Sequence, residues 1–413
     1  MKTILALVLC VVVGFVASKG LLTRAKSRLP IKVLFLTGVE YFLLGILLGP
    51  RFFNLLTDQV LEDLTPIVYL ALGWAGLIFG MQLNLRQIQK VQRSIFKMLL
   101  MDGLVISGVC ALVFFLRLRD LFPGVTRAEI LSSAAVLAIT AAISSPTIVT
   151  VLSHMLPSRG RFTSTVRLAT SLSAVIPLFA FGLFFTIVHP GFFVAHGFLS
   201  GFLWWLFANA VGVVMGFVFV LLTMQRVSRD ERLLVIMGTV IFVAGICYFL
   251  NLSALYTAMI MGIVAGNLSR RRVRMFEQLL SIEKVIYVAF LIVIGGMVQF
   301  TGAVFVFALA SYVVLRLGLK IIVSSWALSS AFAEFAPMKI HSGFALSAQG
   351  AMALAVALDY GLGTTGHLVD TVVAVIACAV VINEFIGVFL TRRALQVAGD
   401  ITERRAMVTV PRR

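Results

Sequence analysis

Charge is what this sequence has least of. Only 12% of its 413 residues are Asp, Glu, Lys or Arg, against 61% apolar residues, a balance that excludes an ordinary soluble domain. Cysteine is nearly as scarce. Cys10, Cys110, Cys247 and Cys378 all lie inside apolar runs, which leaves no disulfide framework and no Cys-based metal spacing. No cluster of His, Cys or carboxylates has the spacing of a metal centre or of a nucleophile and its base. His154, His189, His196, His341 and His367 fall near the ends of apolar segments. An enzyme is therefore not expected, and no cofactor is implied. Sustained alternation of polar and apolar residues is also missing, which excludes a transmembrane barrel.

What is present is a series of apolar runs of helix-spanning length. Thirteen spans are expected, among them 4–18, 31–49, 65–85, 95–116, 130–153, 165–188, 253–268, 283–299, 303–328, 340–358 and 368–390. The fold class is all-α, a polytopic membrane protein. The net charge of +17 would suggest nucleic acid in a soluble chain, but its distribution explains it otherwise. Alternate loops carry nearly all the loop Lys and Arg, as in "TRAKSR", "QRVSRDER", "SRRRVR" and "TERR". The positive-inside rule makes that set cytoplasmic, so the amino terminus is expected outside and the carboxyl terminus inside, in a bacterial inner membrane. The lipid bilayer is the expected partner, and nucleic acid is not. The first twenty residues also look like a signal peptide ending near Ala17-Ser18. Cleavage there would leave Lys19, Arg24, Lys26 and Arg28 on a translocated segment, so a retained first span is expected.

The chain also repeats itself. Span two ends with Gly45 and Gly49 before Pro50, and span nine with Gly262 and Gly266 before Asn267. Span three carries Gly80-Met81, and span ten Gly296-Met297. Gly262 follows Gly45 by 217 residues and Gly296 follows Gly80 by 216. The two motifs share one order and nearly one offset, and each copy lies seven spans after its counterpart, so the halves are expected to be inverted. The expected division is 1–30 for the first span and a basic loop, 31–188 and 233–390 for the repeats, 189–232 for a linking span, and 391–413 for a basic tail. Spans five and twelve are then counterparts, and both are interrupted. Pro146 follows Ser144-Ser145 in one, and Ser347, Gln349 and Gly350 mark the other. Pro cannot donate a helical hydrogen bond and disfavours helix at the residue before it. Paired breaks would expose helix ends and free carbonyls near the midplane.

These segments resemble the monovalent cation:proton antiporters, especially the Kef-type branch of that sodium/hydrogen-exchanger-like superfamily. "FLLGILLGP", "GLIFGMQL", "AISSPTIV", "NLSALYTAMIMGIVAGN", "IVIGGMV" and "SAQGAMALAVAL" match its spans two, three, five, nine, ten and twelve in order, over about residues 31–395. The resemblance implies crossed broken helices, a core of spans four to six and eleven to thirteen moving against a scaffold, and a homodimer. It implies exchange of protons for a monovalent cation, sodium or potassium, at an aspartate on span six, accompanied by a lysine on span eleven. Lys320 matches the lysine. Leu172, between Ser171 and Ser173, stands where the aspartate belongs, and residues 165–188 hold no carboxylate. Gln82 and the Ala351-Met352 pair stand where glutamates are frequent.

Charges inside spans are costly and mark candidate sites. Arg316 and Lys320 lie four apart on one helix face, Glu40 is deep in its span, Asp102 lies nearer the end of span four, and Glu384 lies beside Asn383. Arg167, Lys97 and Lys284 are near span ends, where long side chains snorkel. Glu334, Lys339 and Asp359 are expected at interfaces. The candidate ion-site residues are Ser144, Ser145, Thr147, Ser171, Ser173, Asp102, Arg316, Lys320, Gln349 and Glu384. Lys320 has three readings: a fixed pair with Asp102 or Glu384, a proton carrier, or, with Arg316 and the hydroxyls of Ser145, Ser171 and Ser173, an anion site. The functions that follow are cation:proton exchange at a modified site, an anion or small-solute carrier on the same fold, and a transport-inactive sensor or assembly partner.

Overall fold

The computed structural model describes residues 38–401 apart from 51, 90, 123, 157, 159, 190–197, 225–228, 270–271 and 299–301. The expected first span, the loop at 19–30, the leader-like segment and most of the basic tail lie outside the described residues. In chain order the helices are α1 (Val39–Leu48), α2 (Asp58–Asp63), α3 (Thr65–Gln82), α4 (Leu85–Ile88), α5 (Arg93–Leu121), α6 (Arg127–Ala142), α7 (Pro146–Met155), α8 (Arg161–Leu172) and α9 (Val175–Val188). They continue with α10 (Phe198–Met224), α11 (Arg229–Leu250), α12 (Ala254–Leu268), α13 (Arg272–Gly296), α14 (Ala303–Ala331), α15 (His341–Phe344), α16 (Ala351–Gly363) and α17 (Val369–Val397). Among the described residues, eight segments are long and apolar enough to cross a membrane, with α6–α7 and α8–α9 each counting as one. Helices α12 and α16 are shorter apolar helices.

The repeat glycines make the tightest packing. A Cβ on Gly76 or Gly80 of α3 would overlap the Leu255 or Met259 carbonyl oxygen of α12, and one on Gly262 would overlap the Leu77 carbonyl of α3. The pseudo-equivalent contact joins α1 to α13, where Gly45 meets the Ile292 carbonyl and Gly295 meets that of Phe42. Span two thus packs on span ten as span nine packs on span three. That is how a duplication with inverted halves should close, because glycine lets two helix backbones touch. These helices, with α10 and α11 on α12 and α3, form one bundle; α5, α6, α14, α15 and α17 pack into another. Helices α9 and α16 lie where the two meet.

Both expected breaks are present, and they cross. Helix α6 stops at Ala142; Ile143 and Ser145 are extended, and Pro146 opens α7. Residues 345–350 separate α15 from α16. The Ser145 amide donates to the Ala348 carbonyl at 2.9 Å, and a Cβ on Gly350 would press on the Ser145 side chain. Span six is broken too, a break not among those expected. Its helix is interrupted at Ser173 and Ala174, and Pro177 falls in the first turn of α9, where a missing N–H leaves no bond unmade. Leu172 is the last residue before that interruption and is buried.

Candidate functional site

Helix α14 carries the site on one stripe. Tyr312, Arg316, Lys320 and Ser324 follow one another at four-residue steps, and all four are fully buried. Lys320 donates through Nζ to Asp102 Oδ2 of α5 at 2.6 Å, and Ser324 donates through Oγ to Asp102 Oδ1. Both ions of the pair are sealed from solvent, with side chains 0% and 2% exposed. Asp102 is held against α14 because α5 packs along it. Of the two partners expected for Lys320, the fold selects Asp102.

Arg316, one turn earlier, meets no carboxylate among its described hydrogen bonds. Its guanidinium donates to the Ser347 carbonyl at 2.6 Å, the Ile143 carbonyl at 2.8 Å and the Ala348 carbonyl at 3.4 Å. Ile143 caps the end of α6, and Ser347 and Ala348 lie in the break before α16. Orphaned carbonyls at a helix end carry partial negative charge, and a planar cation with several donors neutralises them. That geometry commits Nη1 and Nη2 to the helix ends and leaves Nε without a hydrogen-bond partner among the described residues.

Around the crossing lies an uncharged network. Gln349 donates to the Thr140 carbonyl and to the Tyr312 hydroxyl, each at 3.0 Å, and accepts from Asn383 at 2.8 Å. The Ser144 amide donates to Ser173 Oγ at 3.1 Å, and Ser144 Oγ donates to the Leu346 carbonyl at 2.8 Å. Ser145 Oγ makes a long bond of 3.5 Å to Glu384 Oε1, and Glu384 is buried on α17. Eight of the ten candidate residues therefore fall in or beside the crossing. Two do not. Thr147 is exposed on α7, and half-buried Ser171 turns its hydroxyl to the Leu168 carbonyl of its own helix.

Sequence reasoning missed Tyr312, Thr140 and Ser324, although the four-residue stripe through Arg316 and Lys320 runs to Tyr312 and Ser324. It misplaced Asp359, expected to be solvated at a span end. The carboxylate is fully buried, because α16 continues to Gly363 and packs on the start of α12. Glu334 does lie at the surface, paired with Arg161 at 3.0 Å.

A cavity of about 90 Å³ separates α3 and α13 from the first turn of α16, lined by residues including Trp74, Ile78, Gln82, Phe290, Ala351 and Met352. Gln82, Ala351 and Met352 are the positions where the resemblance implies glutamates. Those two neutral places, Gln82 and the Ala351-Met352 pair, thus line one cavity, which is largely apolar, and Leu172 is not among its lining residues.

The family model described as sodium/hydrogen exchanger, transmembrane, matches residues 4–396. The chain belongs to that family. It is accordingly a membrane transporter of the cation:proton antiporter type and not an enzyme. No curated protein matches this sodium/hydrogen exchanger family member. Two structures of the sodium proton antiporter MjNhaP1 from Methanocaldococcus jannaschii are similar in fold. One, determined at pH 8, is 12% identical with a TM-score of 0.64, covering 97% of this chain and all of that one. The other, an electron-microscopy map, is 14% identical with a TM-score of 0.58, covering 97% of each chain. Identity so low speaks to architecture alone. The exchanger fold is therefore present, while the span-six position holds leucine and the buried charge pair belongs to α5 and α14.

Proposed function

We propose that this protein exchanges protons for a monovalent cation, sodium or potassium, at a site rebuilt on Asp102 and Lys320. The observation that carries the proposal is the 2.6 Å pair between them, buried in the exchanger core. A lone charge is far more costly there than a matched pair. A cation that binds the Asp102 carboxylate, with the Ser324 hydroxyl as a second oxygen ligand, displaces the ammonium. Lys320 must then lose its proton, or two cations would share one carboxylate in a dry site. Each cation bound therefore releases one proton, and each proton returned expels a cation. Glu384 is the remaining acid at the crossing and the second residue to test. The reading includes a homodimer and an amino terminus outside the cell, the orientation that the charge rule favours.

Proteoliposomes carrying a pH dye, given sodium and potassium gradients in turn, test it. Asp102→Asn should reduce cation-driven proton flux at least tenfold, whereas Lys320→Ala should leave cation movement that no longer drives protons. Leu172→Asp should raise exchange by restoring a carboxylate beside the break. Flux that is unaltered in both Asp102→Asn and Lys320→Ala would exclude this site. Full loss in Glu384→Gln alone would move the site to α17.

A further inference from the structure

Asp359 is a buried carboxylate that the exchange site does not use. It lies on α16, one turn before the helix ends at Gly363, in the seam where α16 meets α3 and α12. Ser253 is the N-cap of α12; it accepts from the Tyr256 amide at 3.0 Å and donates through Oγ to Asp359 Oδ2 at 2.5 Å. The Leu255 amide reaches the same oxygen at 3.4 Å, and that of Ala254 also faces the carboxyl group. Oδ1 has no hydrogen-bond partner among the described residues.

Among the described residues, this group has no salt bridge. The titratable groups facing it are the Tyr69 phenol of α3 and the Cys247 thiol of α11, neither of which supplies positive charge. No described Lys or Arg of α6, α9, α12 or α17 pairs with it; His189, which caps α9, meets Gly363 and Thr364 at the end of α16. One hydroxyl and a helix amino terminus offset only part of the cost of a dry carboxylate. The cost vanishes if the carboxylate takes a proton on the empty Oδ1, or if it reaches water.

We infer that Asp359 is a proton-binding site separate from the Asp102–Lys320 pair, latching α16 to the start of α12. It takes a proton from water when the two helices dock and returns it when they part, so acid favours the docked arrangement. The parting of α16 from α12 rests on the exchanger reading; proton binding does not.

Infrared difference spectra between acid and alkaline pH, recorded on the purified protein, test this inference without transport. They should contain the C=O stretch of a protonated, buried carboxyl that disappears in Asp359→Asn and persists in Asp102→Asn. Ser253→Ala keeps the carboxyl but removes the hydroxyl that favours its ionised form. It should therefore move the pH at which the band appears by about one unit towards alkaline. An unchanged band in Asp359→Asn overturns the inference. Should that variant not fold, an unmoved midpoint in Ser253→Ala overturns it equally. The band in a protein that exchanges no cation would sustain the proton site and sink the exchanger reading. Exchange without the band would do the reverse.

Discussion

Arg316 and Lys320 are one turn apart on α14, yet the fold gives them different tasks. The lysine meets a carboxylate; the arginine meets three carbonyls. From sequence both are simply intramembrane cations, and the spacing that put them on one face left three readings of Lys320 open. Only the positions of Asp102 and of the two broken helices separate them, because a side chain's partner depends on what another segment brings within 3 Å. Arg316→Ala should therefore destabilise the protein by about 2–4 kcal/mol, since it leaves buried carbonyls without a donor. Arg316→Lys should restore only part of the loss, because an ammonium lacks the planar fork. Unfolding of the purified variants in detergent would measure both, and an Arg316→Ala protein as stable as the native one would refute the assignment.

At the scale of elements, the apolar runs, the proline break and the glycine pairs were all legible, because each follows from local chemistry. The pairing of those glycines across helices, in the contacts of α1 with α13 and α3 with α12, is a finding of the structure. The interruption of span six was not expected, although its cause is local: Pro177 has no N–H for the Ser173 carbonyl four residues earlier, and its ring crowds that carbonyl. Gly80→Leu should cost about 1–3 kcal/mol by forcing α3 from α12. Gly108→Ala and Gly318→Ala meet open space and should be neutral or gain up to about 1 kcal/mol. Thermal midpoints of the three variants give the comparison; equal losses in all three would show that close approach is not what matters at Gly80.

His189 supplies a pH prediction at the same scale. Just beyond α9, its Nδ1 bonds to the Phe185 carbonyl at 3.0 Å, and its Nε2 lies 3.3 Å from the Thr364 hydroxyl beyond α16. Burial pushes its imidazole below the usual value of 6.5, against a smaller opposing effect from backbone bonds. The unfolded chain therefore binds the proton first, and the folded state loses stability as pH falls below about 6.5. The thermal midpoint should drop between pH 7 and pH 5, and the drop should shrink in His189→Gln. An equal drop in both proteins would place the acid sensitivity elsewhere.

At the scale of the whole molecule, the segment after α17 returns to the start of span six. Asp400 accepts from the Thr163 amide at 2.8 Å and from its hydroxyl at 2.6 Å, capping α8 from more than two hundred residues away. A carboxylate suits a helix amino terminus. Asp400→Ala should weaken that end by about 1 kcal/mol, seen as roughly fivefold faster amide exchange at Thr163 and Ser164. Unchanged exchange there would show that α8 holds its first turn without the clasp.

Composition, span spacing and the paired glycines determined the class of this protein, a helical membrane chain with inverted halves. They did so because hydropathy and close backbone approach are properties of short segments. Equally plain from sequence was a leucine, Leu172, where the resemblance implies an acid. Tertiary structure alone decided where the buried charges reside. It set Asp102 against Lys320, gave Arg316 to the helix ends and sealed Asp359 at the seam of the two bundles. Those outcomes depend on which distant segments meet, and in a dry interior the meeting decides whether a charge is paired, capped or left to bind a proton.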